Sequence, residues 1–212
     1  MNIFVTGGTG YMGRHLVPPL VQRGHTLRAL VRPGSENKLP QGCAPEFGDA
    51  LDAGSYERLV PPSDTLVQLV GTPKPNPRKA QQFRDVDLKS GLAAVRAARQ
   101  AGIRHLVYVS VAHPAPLMHA YIGPRVEVEE AISSSGLNAT ILRPWYVLGP
   151  GHRWPYLILP VYWIMGAIPS KRATAARLAL VTLKQMIAAL VEAVENPAQG
   201  VRIVEVPAIR RH

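Results

Sequence analysis

A glycine-rich turn after the first apolar segment constrains the fold of this chain more than any other feature. Residues 2–6 (NIFVT) are typical of a short buried strand, and residues 15–23 have the spacing of an amphipathic helix. The turn between them carries glycines in the spacing Gly7-x-x-Gly10-x-x-Gly13. Gly7 allows a tight turn, Gly10 lets the backbone approach a pyrophosphate, and Gly13 lets the helix pack closely on the strand. This order predicts a phosphate-binding turn at the helix N-terminus.

Apolar runs then alternate with helical periodicity along the whole chain, a pattern typical of a parallel sheet covered by helices. Strands are predicted over 2–6, 26–31, 44–47, 65–70, 105–110, 138–143 and 201–206, and helices over 13–23, 54–60, 80–101, 121–135 and 183–195. A length of 212 residues suits one domain. We therefore expect an α/β, doubly wound parallel-sheet Rossmann fold over 1–212, with a small C-terminal lobe inserted at 149–182.

The alternation breaks in the stretch rich in aromatic residues and proline at 154–169. This stretch is too short and too often interrupted by proline to span a bilayer. Three interpretations remain open: a lid over an apolar substrate, a peripheral contact with a membrane surface, or core of the C-terminal lobe. The same residues would also suit the face of a homodimer.

The composition restricts the partners and the compartment. A net charge of +10 favours anionic ligands. The basic residues are scattered apart from Lys171-Arg172 and Arg210-Arg211, so the pattern does not favour nucleic-acid binding. A single cysteine, Cys43, excludes an internal disulfide and a cysteine-built zinc site, and no other metal-ligand spacing is found. With no apolar leader before the first strand, we expect a cytoplasmic protein and a small-molecule substrate.

The end of the second strand indicates which dinucleotide is bound. In this fold a carboxylate there binds the ribose 2′-hydroxyl of NAD, whereas an arginine accommodates the 2′-phosphate of NADP. The strand ends at Arg32, and Lys38 follows a few residues later. The planar, permanently charged guanidinium matches a phosphate group. The sequence therefore predicts NADP rather than NAD.

The motif TGxxGxxG at residues 6–13 resembles the short-chain dehydrogenase/reductase superfamily, especially its extended and atypical members. The segment GDALD at 48–52 is similar to the family segment that meets the adenine, and PWYVLGPG from residue 144 to the one that turns beside the nicotinamide carboxamide. The resemblance implies that the cofactor is bound by the phosphate loop, the two strand-end cations, the adenine segment, the loop after the fourth strand, and the turn at 144. The residues are Gly7, Thr9, Gly10, Tyr11, Met12, Arg32, Lys38, Asp49, Ala50, Val70, Gly71, Thr72, Arg125 and Pro144.

The resemblance also assigns the catalytic groups. The superfamily transfers a proton with a serine or threonine, a tyrosine and a lysine, the last two spaced Tyr-x-x-x-Lys. This chain offers Tyr121 and Arg125 on one helical face. Arg125 is expected to bind the ribose and lower the pKa of Tyr121, but it cannot relay a proton. Ser110 ends the fifth strand, while Ala112 stands where extended members have their serine.

Two histidines in the loop before Tyr121 are further candidates. Either His113 or His119 would replace the missing acid, because histidine titrates near neutral pH. With proton transfer impaired, we expect an NADP-dependent oxidoreductase that passes hydride to a small apolar, quinone- or flavin-like acceptor. One alternative is a non-catalytic NADP-sensing regulatory or scaffold protein similar to the NmrA-type members. Another is a nucleoside-diphosphate-sugar epimerase or dehydratase, which would need a larger substrate domain.

Overall fold

The structure, a computed structural model, describes residues 1–73, 76–115, 118–150 and 172–212. The stretch 154–169, interpreted from the sequence as a lid, a membrane or dimer contact, or lobe core, lies outside the described residues. Most of the lobe expected at 149–182 lies outside them as well.

Seven parallel strands form the central sheet, and two short strands form a second one. They are β1 (Asn2–Thr6), β2 (Thr26–Val31), β3 (Cys43–Phe47), β4 (Thr65–Gln68), β5 (His105–Val109), β6 (Ala139–Arg143), β7 (Tyr146–Leu148), β8 (Leu180–Thr182) and β9 (Val201–Glu205). The order across the large sheet is β3-β2-β1-β4-β5-β6-β9, and β7 pairs with β8. This arrangement confirms the predicted doubly wound parallel α/β fold.

Helices connect the strands. They are α1 (Tyr11–Gln22), α2 (Ala80–Gln82), a π-helical turn (Phe83–Leu88), α3 (Lys89–Gln100), α4 (His119–Ser134), α5 (Arg172–Arg177), α6 (Leu183–Glu195) and α7 (Val206–Ile209), with 3₁₀ turns at Glu36–Lys38, Ala53–Ser55, Glu57–Leu59 and Pro77–Lys79. The predicted helix 80–101 is therefore one helical stretch with a wider turn inside it.

The helix predicted over 54–60 is wrong, since two separate 3₁₀ turns occupy this stretch. The Asp52 carboxylate accepts the Gly54 N–H at 3.0 Å, and the Ser55 hydroxyl donates to two preceding carbonyls. Such side-chain bonds to the backbone compete with helix formation. The last strand also ends one residue early, because Val206 begins α7.

The core lies on both faces of the large sheet. Alternate residues of β1 point to opposite faces, so Ile3 packs with α1 and α6 while Phe4 packs with α3 and α4. Because the strands are parallel, the loops after β1, β4, β5 and β6 emerge at one edge of the sheet. The chain reverses its winding between β1 and β4, which is where this fold opens a crevice.

Within the part of the chain that the structure describes, no helix is long and apolar enough to cross a bilayer.

Candidate functional site

The loop after β1 follows the geometry that its glycines predict. Gly7 has φ +80°, and a Cβ there would lie 2.9 Å from the Leu69 carbonyl carbon. A Cβ on Gly13 would lie 2.5 Å from the Gly7 oxygen, so helix and turn touch backbone to backbone. The Gly10 N–H donates to the Gly7 oxygen at 3.0 Å, and α1 begins at the next residue. The first N–H groups of a helix lack intrahelical acceptors, so this cradle suits the phosphates of a dinucleotide.

A cavity of about 600 Å³ opens beside this loop, at the carboxyl ends of the strands. Ten predicted site residues line it: Gly10, Tyr11, Met12, Val70, Gly71, Thr72, Ser110, Tyr121, Arg125 and Pro144. Apolar side chains, among them Leu69, Val109, Met118, Trp145 and Val147, form much of the remaining wall. The volume and lining are those of a small-molecule site.

The other predicted cofactor residues lie outside this cavity. Arg32 and Lys38 are exposed, and among the described residues neither side chain has an ion-pair or hydrogen-bond partner. Asp49 is also exposed, and its carboxylate accepts the Leu51 N–H at 2.9 Å. Ala50, its neighbour, packs against the core under α3. Gly7 and Thr9 are partly buried in the loop itself.

A buried ion pair stands behind Tyr121. The Arg125 guanidinium lies over the Tyr121 ring, with Cζ 3.8 Å from the ring centroid, and its Nη2 pairs with the Asp87 carboxylate. Arg125 and Asp87 are 6% and 3% exposed. Asp87, which lies in the π-helical turn, also accepts the Thr72 N–H at 3.0 Å. The pair therefore ties the loop after β4 to α4, and the arginine charge is met inside the protein.

This environment corrects one expectation from the sequence. Arg125 does lower the pKa of Tyr121, but burial of the phenol is the larger effect and the Asp87 charge adds to it, so the Tyr121 pKa lies above its ordinary value. Tyr121 is consequently a phenol at neutral pH. It can donate a hydrogen bond into the cavity that it lines.

Ser110 rather than position 112 presents a hydroxyl to the cavity. Ala112 is 1% exposed and packs into the core, while its N–H donates to the Pro144 carbonyl at 2.8 Å. The Ser110 Oγ donates to the buried Glu129 carboxylate of α4, which also contacts His113. His119, by contrast, is exposed at the start of α4 and does not line the cavity.

The sequence reasoning missed Asp87 entirely and gave Glu129 no role. A signal was present for both, because each lies on the buried face of its helix. Asp87 is spaced four residues from the buried Phe83, and Glu129 is four residues from Arg125. An acid at a position that periodicity assigns to the interior needs a buried partner.

Comparisons with known proteins agree with the dinucleotide site that the geometry indicates. A family model described as NAD(P)H-binding matches residues 7–153. The ceramide reductase of Caulobacter vibrioides is 28% identical over 211 residues, which cover 99% of this chain and 65% of that protein. The 4-hydroxy-2-methyl-3-oxo-4-farnesyl-3,4-dihydroquinoline-1-oxide ketoreductase of Stigmatella aurantiaca is 26% identical over 171 residues, 70% of this chain and 51% of that protein. The chain thus spans 51% to 65% of the length of these two curated relatives.

Solved structures show the same fold. The UDP-glucose 4-epimerase of Thermus thermophilus, in complex with NAD, aligns with a TM-score of 0.71 at 20% identity over 100% of this chain and 81% of that one. The glycine cradle and the crevice between β1 and β4 define a Rossmann domain that binds a nicotinamide dinucleotide. The chain belongs to the NAD(P)H-binding family.

Proposed function

We propose that this protein is an NADP-dependent oxidoreductase that reduces a small apolar acceptor of the quinone or flavin type. The observation that carries the proposal is the cavity beside the glycine cradle, where Ser110 and Tyr121 are two of five hydroxyl-bearing residues in a largely apolar wall. Relatives named as reductases support the same reaction class.

The preference for NADP rests on two exposed cations. Arg32 follows the last residue of β2, and Lys38 ends a 3₁₀ turn shortly after it. No ion pair in the described parts of the chain engages either side chain, so both are available to a phosphate. A guanidinium binds phosphate through two parallel hydrogen bonds, which a ribose hydroxyl does not match.

Different residues of the cavity have different roles in the proposed reaction. When bound, the nicotinamide supplies a hydride. The glycine loop holds the phosphates, and Gly71 lets the Arg125–Asp87 pair approach the loop after β4, because a Cβ there would meet Arg125 at 3.0 Å. Tyr121, kept protonated by its raised pKa, donates a hydrogen bond to the oxygen that gains charge. Arg125 stiffens this arrangement through its contact with the Tyr121 ring.

The same residues favour an acceptor that needs little acid assistance. Arg125 is permanently charged and its buried partner Asp87 holds it in place, so it does not return a proton to Tyr121. Quinones and flavins accept hydride with modest protonation, whereas unactivated ketones require more. The apolar wall suits the flat, apolar part of such acceptors.

A second candidate function is an NADP-responsive regulatory protein without turnover. The buried Arg125–Asp87 pair favours it, because the pair removes the proton relay that the family uses while leaving the cofactor cradle intact. Binding of NADPH with a change in protease sensitivity, but no oxidation of NADPH with any acceptor, would identify this function.

Turnover with defined acceptors tests the proposed enzyme. NADPH oxidation is followed with menadione, flavin mononucleotide and cinnamaldehyde as probes. Tyr121→Phe should lower kcat by about 10²-fold or more, since a positioned acid contributes on this order, and should leave NADPH affinity unchanged. Wild-type turnover that Tyr121→Phe does not slow would remove Tyr121 from the mechanism. NADPH binding without any turnover would contradict the enzyme and support the regulatory candidate.

Two further proposals concern partners. We propose homodimer formation, and we propose peripheral contact of residues 154–169 with a membrane surface as one role of that stretch. The support for both is compositional: aromatic residues lie next to Lys171 and Arg172. Solution mass and vesicle sedimentation would examine them separately.

A further inference from the structure

Glu129 is a buried acid for which the proposed reaction gives no role. Three side chains converge on its carboxylate. Ser110 donates to Oε1, Arg143 donates through Nε at 3.1 Å to both oxygens and also through Nη2, and His113 Nε2 lies 3.3 and 3.4 Å from the two oxygens. The carboxylate therefore links a serine to a histidine, and an arginine holds it in place.

Ser110 and His113, on either side of Glu129, lie in different surroundings. Ser110 lines the cavity and is 4% exposed. The Glu129 side chain is 7% exposed, and the His113 side chain is 19% exposed. Ser110, Glu129 and His113 thus run from the cavity, through the interior, to a side chain that solvent reaches.

The proposed reaction needs a supply of protons that Arg125 and Asp87 do not provide. Each reduction consumes one proton at the substrate oxygen. Tyr121 can deliver one, but Arg125 cannot replace it because a guanidinium keeps its protons. Asp87 is occupied by Arg125 and Thr72. A histidine in contact with solvent can take up and release protons, and a carboxylate between it and a hydroxyl can pass them on.

We propose that Ser110, Glu129 and His113 form the proton path that serves the reacting oxygen, with His113 as its entry from solvent. This inference rests on the proposed reductase function and names the path for its proton. The charged groups around His113 are Glu129, Arg143 on the same carboxylate, and Glu205, which lies 3.6 Å from Arg143 Nη1. Arg143 and Glu205 fix the carboxylate and do not carry the proton.

Hydride adds to the conjugated system of a quinone or enal acceptor, and the π electrons that it displaces move to a carbonyl oxygen. The His113 imidazolium gives a proton to the Glu129 carboxylate, Glu129 passes one to Ser110 as the Ser110 hydroxyl gives its own to that oxygen, and water reprotonates His113. In the oxidation direction each transfer is reversed, and the Ser110 hydroxyl then donates to the Glu129 carboxylate as the structure shows.

A rescue experiment tests the entry point. His113→Ala should lower kcat with cinnamaldehyde by about tenfold to a hundredfold, as loss of an acid–base group does, and with menadione by less, because a quinone needs little protonation; NADPH affinity should be unchanged. Added imidazole should restore the rate, because the site is open to solvent. His119→Ala is the matched control, and it should neither slow the reaction nor respond to imidazole. Glu129→Gln is less suitable because it also breaks the Arg143 pair.

A second readout needs no substrate. In the neutral state, His113 should carry its proton on Nε2, the nitrogen that faces Glu129, and ¹⁵N NMR of the histidine rings reports this directly. A His113 ring whose Nε2 makes no hydrogen bond to Glu129 would overturn the path. So would turnover by His113→Ala at the wild-type rate, or a slow variant that imidazole does not restore, while the reductase proposal survives. If wild type binds NADPH and reduces no probe, the reductase proposal fails, and the path falls with it.

Discussion

At the scale of single residues, two arginines show how surroundings decide what a charge can do. Arg32 is exposed and without an ion-pair partner in the described ranges, so its charge is available to a ligand. Arg125 is buried, and Asp87 meets its charge inside the protein. The same type of side chain is therefore available to a ligand at one position and stabilises the fold at the other.

Loss of the buried partner should be costly. Asp87→Asn leaves the Arg125 guanidinium buried beside a neutral amide, and breaking a buried pair in this way lowers the free energy of unfolding by about 3–5 kcal/mol. Urea denaturation measures the change. Lys89→Met, which removes the exposed Asp85–Lys89 pair at 3.2 Å, is the control and should leave stability nearly unchanged. Equal effects of the two variants would show that the buried pair does not hold the loop to α4.

At the scale of elements, a buried histidine joins three strands. His105 begins β5, and its Nε2 lies 3.0 Å from the Thr140 hydroxyl of β6. The Arg202 guanidinium of β9 donates to the same hydroxyl at 3.0 Å. Burial is the main cause that lowers the His105 pKa to about 4, and the Arg202 charge adds to it. The junction therefore requires a neutral imidazole.

This requirement makes stability depend on pH in a defined window. The folded protein keeps His105 neutral, whereas the unfolded chain takes up its proton below about pH 6.5. The neutral His105 therefore contributes up to about 3 kcal/mol to the free energy of unfolding above that pH. This contribution is lost as the pH falls toward 4. Urea denaturation from pH 7 to pH 4 should show a weaker pH dependence for His105→Gln than for wild type. The control is the exposed His119→Gln, which should keep the pH dependence of wild type. The same pH dependence in His105→Gln and wild type would contradict a buried, neutral His105.

At the scale of the whole molecule, the sequence predicted the fold because its signals are local. Alternating periodicities located all seven strands of the large sheet, and the glycine spacing located the turn at its centre. The three-residue strands β7 and β8 are too short to carry a periodicity, so the small sheet was not predicted. The turns at 53–59 depend on side-chain bonds that a helical pattern does not reveal.

Only the part of the site that depends on local sequence spacing could be predicted. Glycines in a turn have a structural role that the spacing itself indicates, and the cradle after β1 has the predicted geometry. The pairs Arg125–Asp87 and Arg143–Glu129 join residues 38 and 14 positions apart, and tertiary packing alone brings them together. These partners set the surroundings of Tyr121 and Ser110, so the electrostatics of the site could be read only from the structure.

A fluorescence titration with NADPH and NADH, on wild type and Arg32→Ala, measures the cofactor preference of the site. Wild type should bind NADPH more tightly than NADH. Arg32→Ala should weaken NADPH binding by about tenfold to a hundredfold, as loss of a charge-assisted bond does, and leave NADH binding unchanged. Equal affinity for the two nucleotides in wild type, or an equal loss of both in Arg32→Ala, would contradict the assignment of NADP.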